Sequence, residues 1–310
     1  SPDTTPPEIR STSIVSGRPV SFGVQNLSFS VYVNEPAECK WSSQDKSYDL
    51  MENAMECSPH VYEQNAEQLY PCAGTLHGIK DQAQNVFYFR CKDQPIKNES
   101  ERNVNQESYL VRLKGTQPLS ISDIGPDGTI TGSTDVVNVN LTVKTDDGAE
   151  EGKAVCSFSQ TGNEGDFIAM FKTDNYVHEQ ILTLSSGFYS YYFRCVDDGG
   201  NSASGNTTFN VLLDRNAPKI TRAYKETDAL KVITEEDASC VYSITSCNFE
   251  FDAGIDMQYL NTQERTFHIA PWKPNQGYYI KCRDDYGNEP MPNSCSIIAL
   301  ATRTPSAIVS

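Results

Sequence analysis

Three residue types in this 310-residue chain have the chemistry to bind or react: ten cysteines, four histidines and a recurring set of carboxylates. The carboxylates come inside a repeated phrase. YYFRCVDDGGN at 191–201 is nearly rewritten as YYIKCRDDYGN at 278–288, and a shorter form, YFRCKD, sits at 88–93. Asp197, Asp198 and Asn201 therefore recur as Asp284, Asp285 and Asn288. Calcium takes several hard oxygen ligands, often Asp and Asn of one loop, so these six are the candidate metal ligands. The same residues also build a β-turn whose side chains bond their own backbone. The turn is the favoured reading, because the first copy continues as Asp93-Gln94. No cofactor is expected, and calcium is the ion these positions would take. His77, His178 and His268 lie 14, 17 and 14 residues before the motif cysteines Cys91, Cys195 and Cys282. A position copied into every repeat points to a structural role, and His60 is expected at the surface. No HExxH, P-loop or Ser/His/Asp pattern occurs, so no enzyme is expected.

The cysteines repeat as well. AECKWSS, AVCSFSQ and ASCVYSI surround Cys39, Cys156 and Cys240, upstream of the three motif cysteines. Pairing first with second gives Cys39–Cys91, Cys156–Cys195 and Cys240–Cys282. Cys57 and Cys72 fall in a segment of the first repeat, 52–75, read as extra, and are expected to pair. Cys247 and Cys295 both fall in the third repeat and are expected to pair. An even number of cysteines without a CxxC motif indicates disulfides rather than a metal site, and disulfides indicate an oxidising, extracellular setting. Asn-x-Ser/Thr triplets at Asn26, Asn98, Asn140 and Asn206 are candidate glycosylation sites. A net charge of −16 disfavours nucleic acid and anionic membrane as partners. No run of 18 apolar residues is present to span a bilayer. The polar, Pro-rich start SPDTTPPEIR is read as that of a mature chain or ectodomain fragment.

The elements that must position these residues are strands. In FYSYYFRCV, Tyr189, Tyr191, Phe193 and Cys195 alternate with Ser190, Tyr192 and Arg194. VVNVNLTV and LSFSVYV alternate in the same way, with the period of two of a half-buried strand. Helical periodicity is absent; LMENAMEC at 50–57 is expected to form one helical turn. The middle repeat divides into strands near 119–122, 135–144, 153–159, 166–171, 178–184, 188–197 and 205–213. Gly, Asp, Asn and Ser fill the gaps, which describes a β-sandwich. Proline-bearing linkers, TPPEI, LKGTQP and DRNAPK, precede each repeat. The expected organisation is all-β, with three tandem sandwiches at 1–115, 116–214 and 215–310.

The stretch LTLSSGFYSYYFRC resembles the E–F corner of fibronectin type III and related immunoglobulin-like domains, with Leu184, Gly187 and Tyr189 in place. The third repeat offers Gly277 and Tyr278, and the first is degenerate. The resemblance covers nearly the whole chain as architecture. Its departures are informative. The first cysteine of each pair follows a separate strand and hairpin, which places it on strand C, beside strand F. Each bond then pins neighbours within one sheet rather than the two sheets together. Such disulfide-bearing variants resemble tandem modules of prokaryotic, particularly archaeal, surface proteins.

The expected function is structural: a subunit of a cell-surface filament, sheath or stalk, N-glycosylated and self-associating or touching other surface proteins. The alternative is an adhesin or receptor ectodomain that binds protein or glycan. Outward Tyr88, Tyr192 and Tyr279 would supply a contact strip. Ala307, Ile308 and Val309 near the end would supply a donated strand.

Overall fold

The computed structural model of the chain describes residues 3–298, so the expectation for Ala307, Ile308 and Val309 lies outside the described residues. These form strands joined by turns, with five short 3₁₀ turns and no α-helix among them. The three-sandwich, all-β architecture expected from the repeats is present.

The first sandwich comprises β1 (Ile9–Thr12), β2 (Pro19–Val20), β3 (Asn26–Val33), β4 (Ala37–Ser42), β5 (Asn53–Ala54), β6 (Glu56–Cys57), β7 (Tyr70–His77), β8 (Gln84–Asp93) and β9 (Tyr109–Gly115). One sheet is ordered β1-β3-β7-β6 and the other β2-β9-β8-β4-β5. Their facing sides bury Phe29, Val31, Trp41, Phe87, Phe89, Val111 and Leu113, the alternating residues of each strand.

The second sandwich comprises β10 (Leu119–Gly125), β11 (Gly128–Gly132), β12 (Val137–Asp147), β13 (Ala154–Ser159), β14 (Ile168–Ala169), β15 (Val177–Leu184), β16 (Gly187–Asp197) and β17 (Ser202–Leu213). Its sheets are β10-β12-β15 and β11-β17-β16-β13-β14. The third comprises β18 (Ile220–Glu226), β19 (Ala229–Thr234), β20 (Ser239–Ser243), β21 (Ile255–Asp256), β22 (Gln258–Asn261), β23 (Glu264–Pro271), β24 (Tyr278–Arg283) and β25 (Ser296–Ile298), in sheets β18-β19-β23-β22 and β21-β20-β24-β25.

Two local expectations change. The stretch 50–57 is not a helical turn. The 3₁₀ turn is Tyr48–Leu50; after it Asn53–Ala54 pairs with β4 and Glu56–Cys57 pairs with β7, so the chain crosses between sheets. Met51 and Met55 are buried while Glu52, Ala54 and Glu56 are exposed, so the four-residue spacing of the methionines is two steps of a strand. This crossing has a counterpart in β21 and β22 of the third sandwich, so the segment special to the first is the loop 58–69. The second change is β11, absent from the expected strands. Pro126, which has no N–H to donate, ends β10, and the chain resumes in the other sheet parallel to β17.

The disulfides join Cys39–Cys91, Cys57–Cys72, Cys156–Cys195, Cys240–Cys282 and Cys247–Cys295. Cys39 and Cys91 face one another in register across β4 and β8, as do Cys156 and Cys195 across β13 and β16, and Cys240 and Cys282 across β20 and β24. The bonds therefore lie within single sheets. Replacing Cys156 and Cys195 together by alanine is expected to destabilise the second sandwich by about 4 kcal/mol in the chain-entropy account of crosslinks. Calorimetry would show a lowered melting transition; an unchanged one would contradict the role given to this bond.

Candidate functional site

The repeated phrase forms the same clasp three times. In the second sandwich the strand period puts Asp197 inward, 6% exposed, at the end of β16. Gly200, at φ 84°, turns the chain back. The Asp197 carboxylate accepts hydrogen bonds from Asn201 N (2.8 Å), Asn201 Nδ2 (2.9 Å) and Ala149 N (2.8 Å). In the third, Asp284 accepts from Asn288 N and Asn288 Nδ2, both at 2.8 Å, and from Tyr286 N at 2.9 Å. In the first, Asp93 accepts from Asn103 N at 2.5 Å and Asn103 Nδ2 at 2.8 Å. The clasp asparagine there comes ten residues after the aspartate rather than four, beyond a loop with its own 3₁₀ turn at Glu99–Glu101. Sequence reasoning missed Asn103 because it sought the partner at the spacing of the other copies.

Each clasp asparagine also holds the linker that leads into its own sandwich. Asn103 Nδ2 donates to Asp3 O (3.2 Å), Asn201 Nδ2 to Thr116 Oγ1 (2.9 Å) and Asn288 Nδ2 to Asp214 O (2.9 Å). The turns then meet the preceding sandwich. Ser21, just after β2, donates its hydroxyl to Gly199 O (2.5 Å), and Phe22 N donates to Asn201 Oδ1 (2.8 Å). Ser133, just after β11, donates to Tyr286 O (3.0 Å). Thr116 Oγ1 in turn donates to Val20 O at 2.7 Å. Gly115 lies at this first joint, where a Cβ would come within 2.0 Å of Lys80 O. Gly115→Ala is therefore expected to lower the melting temperature of the chain by several degrees, as scanning calorimetry would read, with backbone forced to move. A cavity of about 830 Å³ lies beside the joint, lined by residues including Arg112, Lys114 and Gly148.

The six candidate metal ligands do not converge as sets. Asp197 and Asp284 point inward and are bonded within their turns, Asp197 also by Ala149 N. Asp198 points outward to Arg18 (3.4 Å), and Asp285 pairs with Arg265. The structure instead gathers Asp214, Glu236 and Asp284, and in the first sandwich Asp3, Glu35 and Asp93; within each trio one oxygen of each residue lies within 4.8 Å of the others. These carboxylates are the groups that could hold a cation. Burial, then repulsion from their two neighbours, raises the carboxyl pKa values of Glu35 and Glu236 above the usual range. In the second sandwich neutral groups, Ala149 N and Thr116 Oγ1, hold this region.

The histidines divide differently from the expected shared position. His178 and His268 are fully buried. His178 is held by Thr145 Oγ1 and Thr173 Oγ1, both at 2.9 Å. His268 Nε2 lies 3.3 Å from Thr234 Oγ1. By strand register the counterpart of His268 in the first sandwich is Cys72, since Val31 faces Cys72 as Val232 faces His268. His77 is an exposed residue bonded to Asn53 and edge-on to Trp41, and His60 is exposed and stacked on Tyr62.

Tyr189 OH donates to Ser185 O (3.0 Å) and Tyr278 OH to Pro271 O (2.7 Å), so each closes its own turn. In the degenerate first repeat Asn85, six residues before Cys91 as Tyr189 is before Cys195, does this work, accepting from Lys80 N and donating to Lys80 O. Tyr192 is 38% exposed, while Tyr88 and Tyr279 are half-buried. The sequon residues Asn26, Asn98, Asn140 and Asn206 are all exposed. Among the described residues no helix is long and apolar enough to cross a membrane.

No family model matches the chain, and no curated protein matches it. It is similar to solved structures of tandem sandwiches. The I-band fragment I67–I69 of titin is 13% identical, over 92% of this chain and 96% of that one, with a TM-score of 0.35. The fibronectin(III)-like modules of Clostridium thermocellum CbhA are 11% identical, over 71% and 99%, with a TM-score of 0.39. Immunoglobulin domains 1–5 of Sidekick-1 are 11% identical, over 92% and 57%, with a TM-score of 0.41. The strand order, rather than these likenesses, defines the fold.

Proposed function

We propose that the chain is an extracellular structural protein, the subunit of a surface filament, sheath or stalk, made of modules near 1–115, 116–214 and 215–310. The observation that carries this reading is the joint. Both connections between sandwiches use the same parts: a hydroxyl after β2 or β11, a carbonyl of the following sandwich's turn, and an asparagine tied to the linker. A buried aspartate fixes each turn, so the joint residues are preorganised before they meet. Such bonds resist bending where a bare linker would not. Five disulfides suit a chain that persists in an oxidising medium, and four exposed sequons are accessible for glycosylation. Electron microscopy of the chain purified from its source without denaturant tests the reading. Regular filaments are expected, and dispersed single chains would overturn it.

A second reading, an adhesin or receptor ectodomain, is favoured by one feature of the second sandwich. Its sheet β10-β12-β15 has, in place of the fourth strand that β6 and β22 supply elsewhere, a single bridge of Lys172 to Glu179, and Ile168, Phe171 and Ile181 are 65%, 85% and 64% exposed. Exposed apolar side chains beside a strand edge that is bridged at Glu179 alone suit a protein partner. Phe171→Ser with Ile181→Ser should abolish capture of that partner while leaving the disulfides intact; undiminished capture would dismiss this surface.

A further inference from the structure

The two joints show what a receiving end consists of. Each presents a carbonyl two residues before the clasp asparagine, Gly199 O or Tyr286 O, to a hydroxyl of the preceding sandwich. The first joint adds Asn201 Oδ1 as a second acceptor. The first sandwich carries the same half. Asn103 is clasped to Asp93, and two residues before it lies Glu101 O. That carbonyl accepts one bond, from Gln94 Nε2, and keeps a second lone pair. Asn103 Oδ1 has no partner among the described residues. Around this half lie the gathered carboxylates of Asp3, Glu35 and Asp93, and Glu35 has no cationic partner among the described residues.

The third sandwich ends differently from its siblings. Among the described residues nothing in it corresponds to β2 or β11; β18 runs on into a two-residue hairpin and returns as β19, with Glu226 facing Ala229. The hairpin presents Thr227, exposed and at φ 53°. Its hydroxyl is thus on a turn tip, where Ser21 and Ser133 present theirs after β2 and β11. Beside it are two exposed cations. Lys225 Nζ lies over the Trp272 ring at 5.8 Å, and Lys273 follows that ring. Glu226 and Asp228 flank Thr227 in the turn; Glu226 is paired with Lys231, so in this turn Lys225 and Lys273 outnumber the one carboxylate left, Asp228, in a chain with a net charge of −16.

We propose that the clasp end of the first sandwich receives the β18–β19 hairpin end of a second copy's third sandwich, joining chains head to tail. This rests on the structural reading above and gives it a contact. Thr227 of one copy supplies the hydroxyl for Glu101 O of the next, and Lys225 and Lys273 neutralise the Asp3–Glu35–Asp93 group. Opposite charges on two different patches make a heterologous contact, which propagates rather than stopping at a dimer unless it closes into a ring. They also make the contact salt-dependent.

Sedimentation velocity of the full chain at about 20 mM and about 300 mM NaCl tests this. The expected result is reversible, concentration-dependent association at low salt, weakened at least tenfold at high salt. K225E/K273E and E35K/E101K should each sediment as monomers with wild-type circular dichroism, and an equimolar mixture of the two should associate again. Should either double variant fold poorly, Lys273→Glu alone, on an exposed loop, is expected to weaken association by about tenfold. A chain that stays monomeric at low salt, or variants that associate like wild type, would overturn the proposal. Filaments that survive K225E/K273E would overturn this contact and leave the structural reading standing; absence of both filaments and association would remove both.

Discussion

Replacing Asp197 by alanine is expected to destabilise the second sandwich by about 2–4 kcal/mol, because buried neutral donors lose a charged acceptor. The carboxylate accepts from Asn201 N, Asn201 Nδ2 and Ala149 N, and the change leaves all three donors without it. Asn201 then loses the support that aims it at Thr116 and Phe22. The loss should therefore reach the joint. Hydrogen exchange by mass spectrometry would show faster exchange in 187–213 and in 20–24 together. Asp198→Ala is the control, because its pairing with Arg18 is between exposed groups at 3.4 Å and contributes less than about 1 kcal/mol. Exchange that rises in 187–213 alone would mean that the clasp stabilises its own turn and does not build the joint.

The third sandwich is expected to lose about 3 kcal/mol of stability between pH 6.5 and pH 4 through His268. Burial, and secondarily the charge of Arg265, lowers its pKa from 6.5 to about 4. The physical reason is visible in the site. The Thr234 hydroxyl donates to Glu236 O at 2.7 Å, so it can only accept from His268 Nε2–H. Nδ1 is left as a bare lone pair, buried and without a partner. Protonation would place a charged N–H there with no acceptor. The unfolded chain binds this proton near pH 6.5 and the folded chain near pH 4, so stability is full above 6.5 and falls as pH drops towards 4. Glu35 and Glu236 act in the opposite sense, since their raised pKa values relieve repulsion as pH falls. Comparing wild type with His268→Gln cancels them. Trp272, stacked on Tyr278 at 5.8 Å, reports unfolding of this sandwich by fluorescence. Equal pH slopes in the two proteins, or a His268 imidazole NMR signal, identified by its loss in His268→Gln, that titrates near 6.5, would refute the assignment.

Much of this architecture is determined by the sequence alone, because it is written in local periods. Alternation such as Tyr191-Tyr192-Phe193-Arg194-Cys195 fixes strand and face together, since a strand's side chains repeat every two residues. A phrase copied three times fixes the number of modules, and pairing the cysteines of each copy gave the bonds that the structure joins. The inward turn of Asp197 and Asp284 follows from the same alternation. What only the tertiary structure decided is which distant groups these residues meet. Asn103 comes ten residues after Asp93, across a loop whose length no period records. Ala149 and Thr116 reach Asp197 and Asn201 from other segments. Cys72 stands where His268 stands because strand register, not distance from a motif cysteine, sets equivalence. The crossing at 50–57 misled because methionines four apart satisfy both a helix and two steps of a strand; only pairing with β4 and β7 separates them. The joints are decided in three dimensions for the same reason. Ser21 and Gly199 are 178 residues apart, and a hydrogen bond between them depends on two folded sandwiches presenting their turns to each other.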